Sequence, residues 1–340
     1  MIHLWAMHHA RFLALAAMLV LTAAASPPPA VLAPYIHDGR FDPGDYSWLK
    51  GRFADASAAD KTANAQVVAW VEACRQADRE QTTAELADMG VLPPPGMSIV
   101  LRDPVCDAVA MPPRGTQRQT FAQFTQALDR ATPIAETYLA AVRAAEETLA
   151  AADMPLREEL LVRPVGEQML RLGWNWSDGR IPGWDKLTAD EKAIVVSRLG
   201  QAMAERDRRN TRWLKAVVEE NGWPKISEVG ERASGRAWLL VQHADADPPF
   251  QLKALRLMEP LLATGEVSKS NYAYLYDRVM LKIAGAQRYA TQATCEGGKR
   301  VPRPLEDAAA VEARRQDMGL EPLGKNMARL QQVYGDCPKG

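Results

Sequence analysis

Histidine is the scarcest reactive residue in this chain. Five occur in 340 residues, and three of them, His3, His8 and His9, fall in the first ten positions, leaving His37 and His243. Because the remainder contains neither a helical histidine pair nor a His-Glu-x-x-His run, no catalytic zinc centre is expected, and no other metal or cofactor is expected either. A Gly-x-Ser-x-Gly elbow is also missing, which removes one familiar serine-nucleophile geometry. Charge imbalance is absent. With 41 Lys plus Arg against 42 Asp plus Glu, the formal net charge is -1, so no nucleic-acid partner is expected and nothing draws the chain to an acidic membrane surface. Cysteine is sparse at four, and neither zinc-knuckle nor Cys-x-x-Cys spacing occurs.

What the chain does have is a hydrophobic fraction of 47% and a charged fraction of 24%, enough to bury a core and to support two domains. Its start reads as an export signal. Arg11 precedes the apolar run Phe12 to Thr22, and Ala23-Ala24-Ala25 supplies the small residues of a cleavage site, expected after Ala25. That run is shorter than the roughly 20 residues of a membrane-spanning helix, so no stable span is expected once it is cleaved; retention as an anchor is the alternative. A periplasmic or secreted protein follows. In such a compartment Cys74, Cys106, Cys295 and Cys337 are expected in disulfides. Of the three possible pairings, Cys74 with Cys106 and Cys295 with Cys337 are favoured, since each closes a loop within its own region.

Residues 26–44 are rich in proline and small side chains and read as an extended linker. A small helical N-terminal region is expected over 45–152. Ser57 caps a first helix through Val67, Trp70 and Cys74, a second covers Thr82 to Met89, and a third runs from Thr120 to Ala152, with Pro133 as a place where it could break. Residues 155–340 form the C-terminal domain. Thr188 caps a helix to Arg208, a further stretch reaches Asn221, and Asp247 and Ser268 cap two more. Pro248 fits the first position after Asp247, where a missing N–H is harmless. The only extended piece expected is Gln287 to Thr294. The fold class is therefore mainly α: a multi-helix globular domain preceded by a small helical unit, with little or no β.

The segment Trp238 to Gln251 places polar groups inside an apolar helical run. Burying an imidazole or an amide without a partner costs about 1–3 kcal/mol, so Gln242 and His243 must be satisfied or used. Asp277 and Arg278 interrupt the apolar helix that starts at Tyr272, and Tyr289 and Gln292 follow. His243 is the candidate general acid or base, Asp277 its orienting carboxylate, and Arg278 an anion clamp, with Gln242, Tyr289 and Gln292 positioning substrate. The competing interpretation is a polar lock between helices. Trp174, Trp176 and Trp184, with Asp178 and Arg180, form either an aromatic platform for a sugar or peptide or a loop folded onto its own domain. Gly319 to Lys325 spells most of a phosphate loop by chance, since Asn326 replaces its Ser or Thr. Asn175-Trp176-Ser177 spells a glycosylation acceptor.

Taken together, Gly222-Trp223-Pro224, Ala237 to Asp245, Phe250-Gln251, Asn271 to Arg278 and Gln287 to Gln292 resemble the bacterial domain-of-unknown-function family numbered 6624, over a core of residues 210–323. Glu167-Gln168 to Arg171 is similar to an acidic-Gln-x-x-Arg element upstream in that family, and Ala290 stands where glycine is expected. The resemblance implies no reaction. It implies that His243, the Asp277–Arg278 pair and the Tyr289–Gln292 segment belong to one domain pattern. The function expected is that of an exported protein with a polar pocket in its C-terminal domain, a metal-independent acid–base hydrolase or lyase with a small-molecule, glycan or peptide ligand. The alternative is a non-catalytic periplasmic protein that binds a small-molecule, glycan or peptide ligand or interacts with the cell envelope.

Overall fold

In the computed structural model the described residues are 27–115, 119–174 and 183–337. The expected export signal, and Trp176, Asp178, Arg180 and the acceptor Asn175-Trp176-Ser177, lie outside them. The fold is mainly α-helical, with two small antiparallel strand pairs.

Local capping chemistry sets most helix starts. Helix α1 (Ala58–Asp88) opens on a box in which Ser57 Oγ accepts from the Asp60 amide while the Asp60 carboxylate accepts from the Ser57 amide. One helix forms where the sequence suggested two, because residues 75–81 contain no breaker and consist largely of good helix formers. Helix α2 (Pro104–Val109) begins behind Asp103 and carries Cys106, which is bonded to Cys74 of α1 at a Cα separation of 6.4 Å. Helix α3 (Phe121–Leu149) passes through Pro133 unbroken. Ala131 and Ala135 on either side are fully buried, so packing outweighs the lost hydrogen bond.

Helices α4 (Leu156–Val162) and α5 (Pro164–Trp174) lead to α6 (Ala189–Asn221), which opens on a Thr188–Glu191 box and continues for 33 residues without the division expected near Arg208. Helices α7 (Ile226–Val229), α8 (Glu231–Gln242), α9 (Pro248–Met258) and α10 (Lys269–Ile283) follow. Asp247 accepts from the Phe250 amide and Ser268 from the Asn271 amide, as the sequence indicated. Helix α9 stops at Met258 and passes into a 3-10 turn containing Pro260. Strands β1 (Ile36–His37) and β2 (Arg40–Phe41) pair, as do β3 (Ala293–Glu296) and β4 (Lys299–Pro302); α11 (Val311–Asp317) and α12 (Leu323–Tyr334) complete the chain. Cys295 on β3 is bonded to Cys337 beyond α12, at a Cα separation of 5.5 Å. Residues 30–41, read as an extended linker, instead form a 3-10 turn and the β1–β2 hairpin, because Leu32 finds a fully buried seat in the core.

Two hydrophobic cores result. The first gathers Leu32, Tyr46 and Trp48, the inner face of α1, Phe124 and Val142 of α3, and Leu170 of α5. The second gathers Leu160, the buried faces of α8 and α9, and Tyr272, Leu275, Tyr276 and Val279 of α10, joined by Leu86 and Met97 from the first third of the chain. Helix α6 enters both, through Ile194, Val195 and Leu199 near its start and Leu214 and Val218 near its end. The middle of α6, packed on α5 and near the C-terminal end of α8, lies where the cores adjoin.

Candidate active site

Three helices place polar groups at that junction. On α5, Glu167 and Arg171 are four residues apart and share a face. On α6, Asp207 and Asn210 share a face with the buried Leu214. His243 caps the C-terminal end of α8, and the buried Gln251 of α9 closes that end by donating Nε2 to the carbonyl of Val241 at 3.0 Å.

The cluster is connected. His243 Nδ1 lies 2.7 Å from Glu167 Oε1, and Arg171 Nε donates to His243 Nε2 at 3.2 Å. A guanidinium N–H needs a lone pair to receive it, so Nε2 is the bare nitrogen and the ring proton sits on Nδ1, donated to Glu167. Arg171 also donates Nη2 to Asp207 Oδ2 at 2.8 Å, while Asn210 Nδ2 donates to Glu167 Oε2 at 3.0 Å. The Glu167 side chain is fully buried, whereas those of His243, Asp207 and Arg171 retain 12%, 18% and 20% exposure.

These surroundings move the protons. Burial holds His243 below its ordinary pKa against the pull of Glu167, and the nearby Arg171 and Arg278 charges act in the same direction as burial. Burial alone would raise Glu167. Its bonds to His243 and Asn210 and the Arg171 charge bring it below the usual carboxylate range. Asp207 goes the other way: burial, opposed by Arg171 and reinforced by the Glu167 carboxylate, pushes it up to about 8. At neutral pH the cluster therefore holds an ionised Glu167, a neutral His243 and a protonated Asp207 around one arginine.

Glu167, Asp207 and His243 could each offer one metal-ligand atom, all within 4.8 Å of one another. The fit is poor, because Arg171 already occupies both His243 Nε2 and Asp207 Oδ2 and supplies the positive charge that a cation would bring.

A cavity of about 760 Å³ opens onto this cluster. His243, Asp207 and Arg171 line its floor, Arg278 and Arg212 stand in its wall, and Trp174 and Tyr334 form part of its rim. Trp174 and Tyr334 are 46% and 69% exposed, so the rim offers apolar surface to a ligand. Residues 181–339 match the model of a family of unknown function (DUF6624). The C-terminal part of the chain carries that family's pattern. No curated protein and no solved structure matches the chain. The DUF6624 match includes Asp207, Asn210 and His243, whereas Glu167 and Arg171 lie before it.

Of the catalytic and substrate-positioning candidates read from the sequence, His243 and Arg278 reach this cavity, and Asp277, Gln242, Tyr289 and Gln292 do not. Arg278 holds Asp245 with two nitrogens at the cavity edge. Asp277, expected to orient His243, is instead fully buried against a loop, where it accepts from the amides of Arg288, Tyr289 and Thr291 at 2.8–2.9 Å. Glu167 takes the position assigned to it. The Tyr289 ring packs edge-on against Tyr276, and the Tyr289 carbonyl accepts from the buried Arg315 at 2.6 Å. Gln292 lines a different recess, and Gln242 Oε1 is buried without a partner among the described residues, away from the cavity. Trp184 packs against the first core, so of the two described platform tryptophans only Trp174 faces the cavity.

Asp207 and Asn210 went unread because Arg206-Asp207-Arg208-Arg209-Asn210 looks like a solvated charge run. The available signal was the spacing of Asp207, Asn210 and Leu214, which puts two polar groups on the face that buries a leucine.

Proposed function

We propose that this cavity is a metal-independent acid–base site that binds a small organic anion with an apolar portion. The observation that carries the proposal is the Arg171 bridge between His243 Nε2 and Asp207 on the floor of a solvent-open cavity. A ligand anion would draw Arg171 toward itself, with Arg212 beside it, and so free the Nε2 lone pair. Nε2 then takes a proton from water or from a substrate carbon, Glu167 stabilises the imidazolium, and protonated Asp207 gives its proton to the leaving group. Hydrolysis and elimination share this proton balance, so the reaction class is hydrolase or lyase. Val100, Met203 and Trp174 offer the apolar wall.

Two disulfides support an oxidising compartment, and the sequence expectation of an export signal makes the periplasm or the exterior part of the proposal. Among the described residues no helix is long and apolar enough to cross a membrane.

A second reading is favoured by one observation: both imidazole nitrogens already have partners within the protein. In that reading the cluster locks three helices and the cavity binds its ligand without turnover. The experiment is to assay hydrolysis and elimination on a panel of carboxylate and phosphate esters and hydroxy acids, comparing wild type with His243→Gln and Asp207→Asn. Loss of turnover by about 100-fold or more in both, with melting temperature kept within a few degrees, supports the acid–base site. Anion binding without turnover in the wild type supports the second reading.

A further inference from the structure

Arg278 also faces away from the acid–base cavity. There it lines a separate recess of about 480 Å³ with Lys282, Arg303, Gln292, Ser98 and the turn at Pro94 to Met97. Three cationic side chains and no carboxylate occur in that lining. The carboxylate that serves Arg278 and Lys282 is Asp245, outside the recess, and the two share it. Arg278 binds it with two nitrogens, while Lys282 Nζ stays 3.8 Å from Oδ1 and gives its short bond, 2.7 Å, to the Asp245 backbone carbonyl. Arg303 has no side-chain hydrogen bond or ion pair among the described residues. Glu306, close to it in sequence, is engaged by Tyr276, Arg288 and Arg314. One carboxylate therefore answers two cations, and the third is unanswered.

We propose that this recess is a binding site for a small oxyanion of charge two or more, with phosphate or polycarboxylate groups as the fitting chemistry. An anion seated between Lys282 and Arg303 would supply the missing countercharge, and Ser98 and Gln292 would add neutral donors. Because α10 places Arg278 and Lys282 one turn apart, both cations can address a single ligand. This inference is independent of the acid–base reading and concerns different residues, apart from Arg278.

Calorimetric titration of the full chain with inorganic phosphate and with citrate, at ionic strength held constant by sodium chloride, tests it. Arg303 is exposed, so Arg303→Ala leaves the core intact. The expected result is saturable binding of at least one of the two anions, weakened tenfold or more by Arg303→Ala and by Lys282→Gln, and changed less than twofold by Arg212→Ala in the other cavity. Unaltered binding in Arg303→Ala, loss of binding in Arg212→Ala, or no saturable binding of either anion above the chloride background overturns the proposal. Each of those outcomes leaves the turnover test of His243 and Asp207 untouched.

Discussion

The Glu167 carboxylate lies 2.7 Å from His243 Nδ1 although 76 positions separate the two residues. Because Glu167 is fully buried, removing one member of the pair leaves the other without compensation. Glu167→Ala strips the partner from both His243 Nδ1 and Asn210 Nδ2, and a loss of about 1–3 kcal/mol for each orphaned donor is expected in urea unfolding. A loss below about 1 kcal/mol would mean that water replaces the carboxylate freely.

Asp207 makes stability depend on pH in a defined direction. Its folded pKa, about 8, lies above that of an unfolded aspartate, so the folded state holds a proton that the unfolded state has released. Stability from this group is complete below about pH 4 and falls as pH rises toward 8. Asp207→Asn keeps an acceptor for Arg171 and removes the titration. The variant is expected to gain about 1–3 kcal/mol over wild type at pH 8, and to show a flatter profile between pH 4 and 8 by chemical denaturation.

His243 acts with the opposite sign. A base held below its ordinary pKa resists protonation in the folded state, so stability contributed here is lost as pH falls below about 6.5, where the unfolded imidazole takes its proton. Nitrogen-15 NMR of the ring is expected to show the Nδ1–H tautomer at pH 7 and a midpoint below that of a free imidazole. Arg171→Met should raise that midpoint, since it removes a positive neighbour. A midpoint above about 6.5 in the wild type would contradict the assignment.

Divalent cations provide a check on the role of Arg171. Because the guanidinium already bridges His243 and Asp207, zinc or manganese should leave the wild-type melting temperature unchanged. Arg171→Ala frees His243 Nε2 and Asp207 Oδ2, beside Glu167 in a group whose ligand atoms lie within 4.8 Å of one another, and should acquire a metal-dependent rise. A rise of several degrees in the wild type would show that a cation displaces the arginine.

The Cys74–Cys106 bridge closes a separation of 32 residues, for which chain entropy gives about 3–4 kcal/mol. The double variant Cys74→Ser, Cys106→Ser is expected to lose stability of that order in equilibrium unfolding, with the acid–base cavity still formed.

Helix starts were legible in the sequence because a cap is a rule over four residues: Ser57, Thr188, Asp247 and Ser268 each accept the amide expected of them. Helix continuity was less legible. Pro133 and the stretch after Cys74 are decided by burial against distant helices, which local spacing does not report. The same limit explains the site. His243 stood out as an imidazole in an apolar run, but its carboxylate could not be chosen by proximity in sequence, and Asp277 was nearer in the chain than Glu167. Asp277 instead holds the backbone around Ala290, whose φ of 54° is the left-handed conformation that a glycine would adopt without strain. Alanine in place of the expected glycine suggested a different backbone at that turn, yet Ala290 keeps the conformation that glycine favours.

Helix α6, 33 residues and about 50 Å in length, threads both cores and carries Asp207 between them. Such a rod is gripped at each end by buried apolar side chains and buries the polar Arg206, Asn210 and Thr211 around Asp207 in between. Fraying of either grip would let solvent reach Asp207 from behind and discharge the proton it keeps, so the chemistry of the hollow and the cohesion of the two halves fail as one event.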